Sequence, residues 1–110
     1  MEITSRDYKR ASVIRVTGRV DSSTAPKFEE KLNEYIKAGH THLVLEMDGT
    51  EYLSSAGVRA MISTQKTLRS KGGQVSLAQP SARVKEVLEL AGLGPLFSVY
   101  DKTEAAVGEA

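Results

Sequence analysis

The chain has 110 residues, of which 40% are hydrophobic and 26% are charged, and it contains no cysteine. This length suits one domain with one core, and the lack of cysteine excludes disulfides and thiolate metal sites and suits a reducing cytosol. The 15 Lys and Arg residues nearly balance the 14 Asp and Glu residues, and no basic stripe with interleaved aromatic residues marks a nucleic-acid surface.

The N-terminal segment is polar from its first residues, Glu2 to Arg6, which is unlike a signal peptide. No apolar run approaches the roughly 20 residues that a membrane span needs. We therefore expect a cytoplasmic protein in which residues 1–110 form a single domain that binds neither nucleic acid nor membrane.

The first third of the chain predicts two strands and a helix. Residues 13–18 are a short β-branched run, which is typical of a strand, and a partner strand is expected around Ile3. Residues 21–24 are of helix-capping types and precede Pro26, which the first turn of a helix tolerates. The apolar spacing that follows predicts a helix ending at Gly39.

The middle third predicts a strand and a second helix. Residues 42–47 are apolar on both faces for most of their length, as in a sheet covered by helices. After Ser54 and Ser55, apolar residues at helical spacing predict a helix with one buried face, interrupted by the polar Gln65. The residues expected to be buried there are Val58, Met61, Ile62 and Leu68.

The last third predicts a strand at 75–78, a helix beginning at Pro80 and Ser81, a short strand at 97–100 and a terminal helix at 101–107. The third helix is expected to bury one apolar stripe, formed by Val84, Val87, Leu88 and Ala91. Together these elements predict an α/β fold with a mixed four- to five-stranded sheet and helices packed mainly on one face.

The sequence contains no familiar catalytic or cofactor motif. It has no glycine-rich phosphate loop, no nucleophile elbow and no zinc-protease helix motif. His40 and His42 flank a strand entry, but no third metal ligand is matched to them, so we interpret them as solvent-exposed surface residues. We therefore predict that the protein is not an enzyme and carries no metal and no cofactor.

Ser54 and Ser55 stand out because two hydroxyls lie directly before a strongly periodic helix. The simpler interpretation is capping, in which a serine oxygen accepts a hydrogen bond from a free N–H group of the first turn. Capping needs only one serine, however, and a helix N-terminus favours an added phosphate. Asp21 offers a similar choice: it is a turn or cap residue, or it lies beside the serines if both loops share one edge of the sheet.

These residues carry a resemblance to a known family. Residues 18–25 (Gly-Arg-Val-Asp-Ser-Ser-Thr-Ala), 43–47 and 52–58 resemble the STAS domain of the anti-sigma factor antagonists, and residues 72–75, 84–93 and 97–105 also match its usual pattern. The resemblance covers almost the whole chain with no further domain. That extent favours a free-standing bacterial antagonist over the STAS tails of membrane anion transporters.

The resemblance implies partner switching. In that family the dephosphorylated antagonist binds an anti-sigma factor, which is itself an ATP-dependent serine kinase, and so releases a sigma factor. The kinase phosphorylates one serine of the antagonist and the complex dissociates, and a metal-dependent serine phosphatase reverses the modification.

Carried over residue by residue, the resemblance makes Ser55 the phosphorylated serine. Ser54 occupies the position at which the family has an acidic residue, and this makes Ser54 a second candidate phosphosite. Ala56 occupies the position of the family's second hydroxyl. Asp21 matches the acidic residue of the loop that lies near the phosphosite in family members. The predicted partner-binding residues are Asp21, Ser22, Ser54, Ser55, Ala56, Gly57 and Arg59.

A second function stays open at the level of sequence. The alternative is a STAS protein that does not control a sigma factor. Such a protein would bind another regulatory partner or a small ligand such as a nucleotide. Ser55 would then serve only as a cap, and phosphorylation of Ser55 by a cognate kinase separates the two hypotheses.

Overall fold

Six strands and four helices follow one another in the computed structural model, which describes all residues from Met1 to Ala110. The strands are β1 (Glu2–Asp7), β2 (Ser12–Val20), β3 (His42–Glu46), β4 (Thr50–Leu53), β5 (Gln74–Ala78) and β6 (Ser98–Tyr100). The helices are α1 (Ala25–Lys37), α2 (Ser55–Ser70), α3 (Ala82–Leu90) and α4 (Thr103–Gly108), with a 3₁₀ turn at Gly94–Leu96.

The strands form one mixed sheet in the order β1-β2-β3-β5-β6. β1 pairs with β2 in antiparallel orientation, and every other pairing, including that of β4 with the end of β2, is parallel. The predicted mixed α/β sheet is confirmed, with six strands instead of the expected four to five because Thr50–Leu53 forms the additional strand β4.

The core lies mainly on one face of the sheet. Side chains of α1, α2 and α3 pack there against alternate residues of the central strands, including Ile14, Leu45 and Leu77, all fully buried. On the opposite face a smaller cluster forms, in which Ala11, Val13, Val44 and Ala78 pack with Ala106 of α4. Helices packed mainly on one face were predicted from the sequence, and the structure confirms it.

Gly18 redirects β2 from one neighbour to another. Its φ of +90° lies in the left-handed region that glycine adopts without strain, and the register of the β2–β4 pair shifts between Gly18 and Arg19. This bulge turns the end of β2 away from β3 and towards β4. The last residues of β2 and β4 therefore leave the sheet side by side.

Three predictions of side-chain burial need correction. Ile62 and Val87 are half-buried, and Ala91 is exposed just beyond the end of α3 at Leu90. Gln65, which interrupts the apolar pattern of α2, is fully buried. Its side-chain amide donates to the carbonyl groups of Val75 and Leu96 and its oxygen accepts from the Val75 N–H, so the polar residue is fully satisfied inside the core.

The two histidines are half-buried, not exposed as the sequence predicted. The ring of His40 packs against Tyr35, and its Nδ1 lies 3.0 Å from the Ser12 hydroxyl. Nδ1 of His42 lies 3.1 Å from the hydroxyl of Thr41. These local contacts account for the partial burial of both rings.

None of the four helices is long and apolar enough to cross a membrane.

Candidate functional site

The parallel pairing of β2 with β4 builds the candidate site. Val20 is the register partner of Leu53, so the residues that follow them, Asp21 and Ser54, emerge next to each other at the same edge of the sheet. The Ser54 N–H donates to the Val20 carbonyl at 2.8 Å and joins the two loops directly. The structure thus brings together the two segments that the sequence singled out.

Ser54 is the N-cap of α2. Its backbone is extended (φ −81°, ψ 167°), and its hydroxyl oxygen accepts a hydrogen bond from the Gly57 N–H at 3.2 Å. Its carbonyl accepts the first main-chain bond of the helix, from Val58. One serine therefore performs the capping that the sequence left to either of the two.

Ser55 is the first residue of α2 and is exposed. The capping bond belongs to Ser54, so the Ser55 hydroxyl is left to face the solvent at a helix N-terminus, where free N–H groups favour an anion. The next residue, Ala56, is half-buried against the core, whereas Arg59, one turn further along, is exposed. Ser55 and Arg59 line the same groove.

Gly57 is buried and fixes how closely α2 approaches the sheet. A Cβ at this position would lie 2.8 Å from Leu53 Cδ1 and 2.8 Å from Val20 Cγ1, closer than real Cβ contacts allow. No side chain fits between the first turn of α2 and the ends of β2 and β4. Gly57 was predicted to be a partner-binding residue, and the structure places it beneath the surface as a packing residue.

Asp21 organises the loop that precedes α1. Its Oδ1 accepts hydrogen bonds from the N–H groups of Ser23 and Thr24 and from the Ser23 hydroxyl at 2.7–3.0 Å. The hydroxyl and main-chain hydrogen bonds from Ser23 and Thr24 lower the pKa of Asp21 to about 2. The half-exposed carboxylate therefore stays charged at physiological pH, and Ser22 beside it is exposed.

An apolar groove runs between α2 and α3 beside Ser55. It is lined by Ser55, Val58, Arg59, Val87, Leu90 and Ala91 and has a volume of about 420 Å³. Leu90 is 82% exposed, the most exposed large hydrophobic side chain of the protein. An exposed leucine within an apolar groove marks a surface suited to a partner protein.

Leu90 was not among the predicted site residues, although the sequence contained a signal for it. Leu88 and Leu90 lie two positions apart in one helix, so the two side chains point to nearly opposite sides of that helix. Leu88 is buried in the core and Leu90 faces outwards. An apolar residue outside the buried stripe was therefore already visible in the sequence.

A cationic group borders the same end of the sheet. The guanidinium of Arg19 lies 4.5 Å from the centre of the Tyr52 ring, and that of Arg83 lies 5.8 Å from the same ring. Arg19 and Tyr52 are register partners in β2 and β4, which explains their contact. Arg19 Nε also lies 4.0 Å from Asp21 Oδ2, which ties this group to the Asp21 loop.

Comparison with known proteins identifies the family and the fold of this chain. The chain matches the STAS domain family over residues 2–110. It is 32% identical over 102 residues to the anti-sigma-B factor antagonist of Listeria monocytogenes, an alignment that covers 90% of this chain and 86% of the relative. It is 22% identical over 110 residues to the anti-sigma F factor antagonist of Paenibacillus polymyxa, with 99% of this chain and 94% of the relative covered. The solved structure of the anti-sigma factor antagonist SpoIIAA in its unphosphorylated form superposes with a TM-score of 0.85 at 24% identity (98% and 95%).

The chain therefore belongs to the STAS domain family.

Proposed function

We propose that this protein is an anti-sigma factor antagonist that binds an anti-sigma factor and is switched off by phosphorylation of Ser55. The observation that carries the proposal is the placement of Ser55, whose exposed hydroxyl stands at the start of α2 on the wall of an apolar groove. A modification at this position adds charge to the surface best suited to a partner without disturbing the core.

The physical basis of the switch is a difference between the free and the bound protein. In the free protein, a phosphate on Ser55 faces solvent and the N–H groups of a helix N-terminus, which tolerate it. In a complex docked on the groove, the same phosphate is desolvated or meets a group selected for a neutral hydroxyl, and either costs several kcal/mol. A loss of about 2.7 kcal/mol already weakens binding about a hundredfold.

We further propose that the docked surface extends from the groove to the Asp21 loop. Asp21 and Ser54 leave adjacent strands, and the Asp21 carboxylate is held rigidly by its hydrogen bonds. Ser22, next to Asp21, and Arg59, one helical turn after Ser55, are both exposed. These residues would give a polar rim to an apolar centre, which is the usual composition of a protein interface.

In this proposal the partner anti-sigma factor is itself the serine kinase that modifies Ser55, and a metal-dependent serine phosphatase restores the free hydroxyl. Both activities reside in the partners and not in this chain, which acts as a non-enzymatic binding protein in the cytoplasm. Binding of the unmodified protein would release a sigma factor for RNA polymerase.

The test is calorimetric affinity for the cognate anti-sigma factor in the presence of nucleotide. We expect Ser55→Ala to bind like the wild type and to resist phosphorylation, and Ser55→Asp to bind about a hundredfold more weakly. Ser63→Asp is the matched control, because Ser63 is exposed two turns further along the same helix. Equal affinity of wild type, Ser55→Asp and authentic phosphoprotein would contradict the proposal.

A further inference from the structure

β1 is an open edge of the sheet. It is six residues long, has a neighbour only on its β2 side, and all its residues except Ile3 are exposed. Its register with β2 is unbroken, and it contains no proline. Proteins protect such an edge with a bulge, a proline, a covering element or charged side chains. β1 has only the last of these, and its charged residues Glu2, Arg6 and Asp7 are of both signs.

The backbone groups that face outwards from β1 can be assigned from the hairpin that joins it to β2. The Tyr8 N–H donates to the Ala11 carbonyl at 2.8 Å, and this pair continues the register in which Asp7 faces Ser12. In an antiparallel ladder, hydrogen-bonded and non-bonded pairs alternate. Glu2, Thr4 and Arg6 therefore bond to β2, and the N–H and C=O groups of the alternate residues Ile3, Ser5 and Asp7 point away from the sheet.

The sequence of β1 is complementary to a second copy of itself. Two antiparallel β1 strands can form hydrogen bonds only through their outward-facing residues, which allows a register with Ile3 opposite Ser5 of the second copy. In that register the Thr4 residues of the two copies face each other on the two-fold axis, and Glu2 of each copy faces Arg6 of the other. The register two residues further along places Thr4 opposite Arg6 and Ile3 opposite Asp7, without an opposite-charge pair. Charge therefore selects the first register.

The side chains that this pairing uses are available. Arg6 is 46% exposed, and it uses Nε for the Tyr8 hydroxyl and Nη2 for Glu46. A guanidinium has five N–H donors, so Arg6 retains donors for a second carboxylate. A groove of about 400 Å³ between β1 and α1, lined in part by Ile3 and Lys31, leaves room for the side chains of the second strand on the helical face.

We propose that two copies of this protein associate through β1, forming a symmetric dimer with one continuous sheet. The interface is isologous, with Thr4 at the two-fold axis and a Glu2–Arg6 ion pair on each side of it. None of the β1 residues lines the groove beside Ser55, so the dimer is independent of the proposed partner switch.

Cysteine cross-linking tests the register directly, because the chain has no cysteine of its own. Thr4 pairs with itself as a non-hydrogen-bonded pair, in which Cα atoms approach to about 4.5 Å, within disulfide range. With oxidised glutathione, Thr4→Cys should form a covalent dimer, and the neighbouring variant Ser5→Cys should remain largely monomeric. Failure of Thr4→Cys to cross-link, or equal cross-linking of both variants, would overturn the proposal.

Sedimentation equilibrium of the unmodified protein tests the same dimer without a cross-link. We expect concentration-dependent dimerisation, weakened about tenfold in Glu2→Lys, which turns two attractive pairs into two repulsive ones. Glu29→Lys, a charge reversal at an exposed position of α1, is the control and should dimerise like the wild type. A protein that remains monomeric up to about 1 mM would contradict the proposal.

Discussion

Gly57 illustrates at the scale of one residue how the site depends on packing. The space that a Cβ would need is already filled by Leu53 and Val20. We expect Gly57→Ala to lower the free energy of unfolding by about 1–3 kcal/mol, because overpacking outweighs the gain in helix propensity. Urea denaturation measures the change. Gly94→Ala, where nothing lies within 4 Å of the new Cβ, is the control, and an equal effect of both changes would exclude the packing explanation.

Asp21 gives a prediction that depends on pH. Hydrogen bonds from Ser23 and Thr24 lower its pKa to about 2, so its stabilising contribution is fully present above the unfolded pKa, near 4, and is lost as the pH falls towards 2. Carboxyl chemical shifts from NMR should show Asp21 titrating near the lower value. Titration near 4 would mean that the loop is not held by these bonds.

Substitution of Asp21 separates its charge from its bonding. Asp21→Asn keeps the side-chain oxygen that accepts from Ser23 and Thr24 but removes the negative charge. We expect a modest fall in the thermal midpoint, because the charge strengthens these hydrogen bonds, and a fall in the affinity for the anti-sigma factor at a temperature where the variant is fully folded. Unchanged affinity would restrict Asp21 to a structural role in the loop.

Gln65 connects three elements. Its side chain bonds both main-chain groups of Val75 in β5 and the Leu96 carbonyl in the 3₁₀ turn. β6 pairs with β5 only from Ser76 onwards, so the amide replaces a strand partner at the point where β6 is missing. A leucine of similar size cannot replace these bonds.

We therefore expect Gln65→Leu to destabilise the fold by about 2–4 kcal/mol, because it leaves buried polar groups of the backbone without hydrogen-bond partners. Hydrogen exchange should show loss of protection at the Val75 amide. Lys66→Leu, at the adjacent exposed position, should change stability by no more than about 0.5 kcal/mol. If Gln65→Leu is as stable as the wild type, the bonds contribute little.

The elements differ in how well the sequence predicts them. α1, α2 and α3 have 9–16 residues, long enough for the helical period to emerge, and all three were predicted. β4 has four residues, of which Thr50 and Leu53 are buried, which is too short a pattern to separate from a loop. Periodicity placed Gln65 on the apolar face of α2, but its hydrogen-bond partners were not predictable, because they lie 10 and 31 residues away.

The candidate site was predictable in its parts but not in its assembly. Capping chemistry pointed to Ser54 and Ser55, and turn chemistry pointed to Asp21. Their adjacency depends on the parallel pairing of β2 with β4 after the bulge at Gly18, which no spacing in the sequence encodes.

On the scale of the whole molecule, the groove and the β1 edge are two separate surfaces. A substitution of Leu90 tests the groove alone, because the side chain is 82% exposed and contributes little to the core. We expect Leu90→Ala to weaken binding to the anti-sigma factor at least about tenfold. Stability should change by no more than about 0.5 kcal/mol. Val99→Ala, at the exposed position of β6, is the control. Unchanged affinity of Leu90→Ala would exclude the groove as the docking surface.

The most direct measurement follows one preparation of the protein through a single phosphorylation cycle. The purified protein is incubated with the cognate anti-sigma factor and ATP, the modified residue is identified by tandem mass spectrometry, and the affinity of the isolated phosphoprotein is compared with that of the unmodified protein. We predict one phosphate, on Ser55 and not on Ser54, with affinity reduced about a hundredfold and circular dichroism unchanged. Phosphorylation elsewhere, or a Ser55 phosphoprotein that binds as tightly as the unmodified protein, would contradict the account.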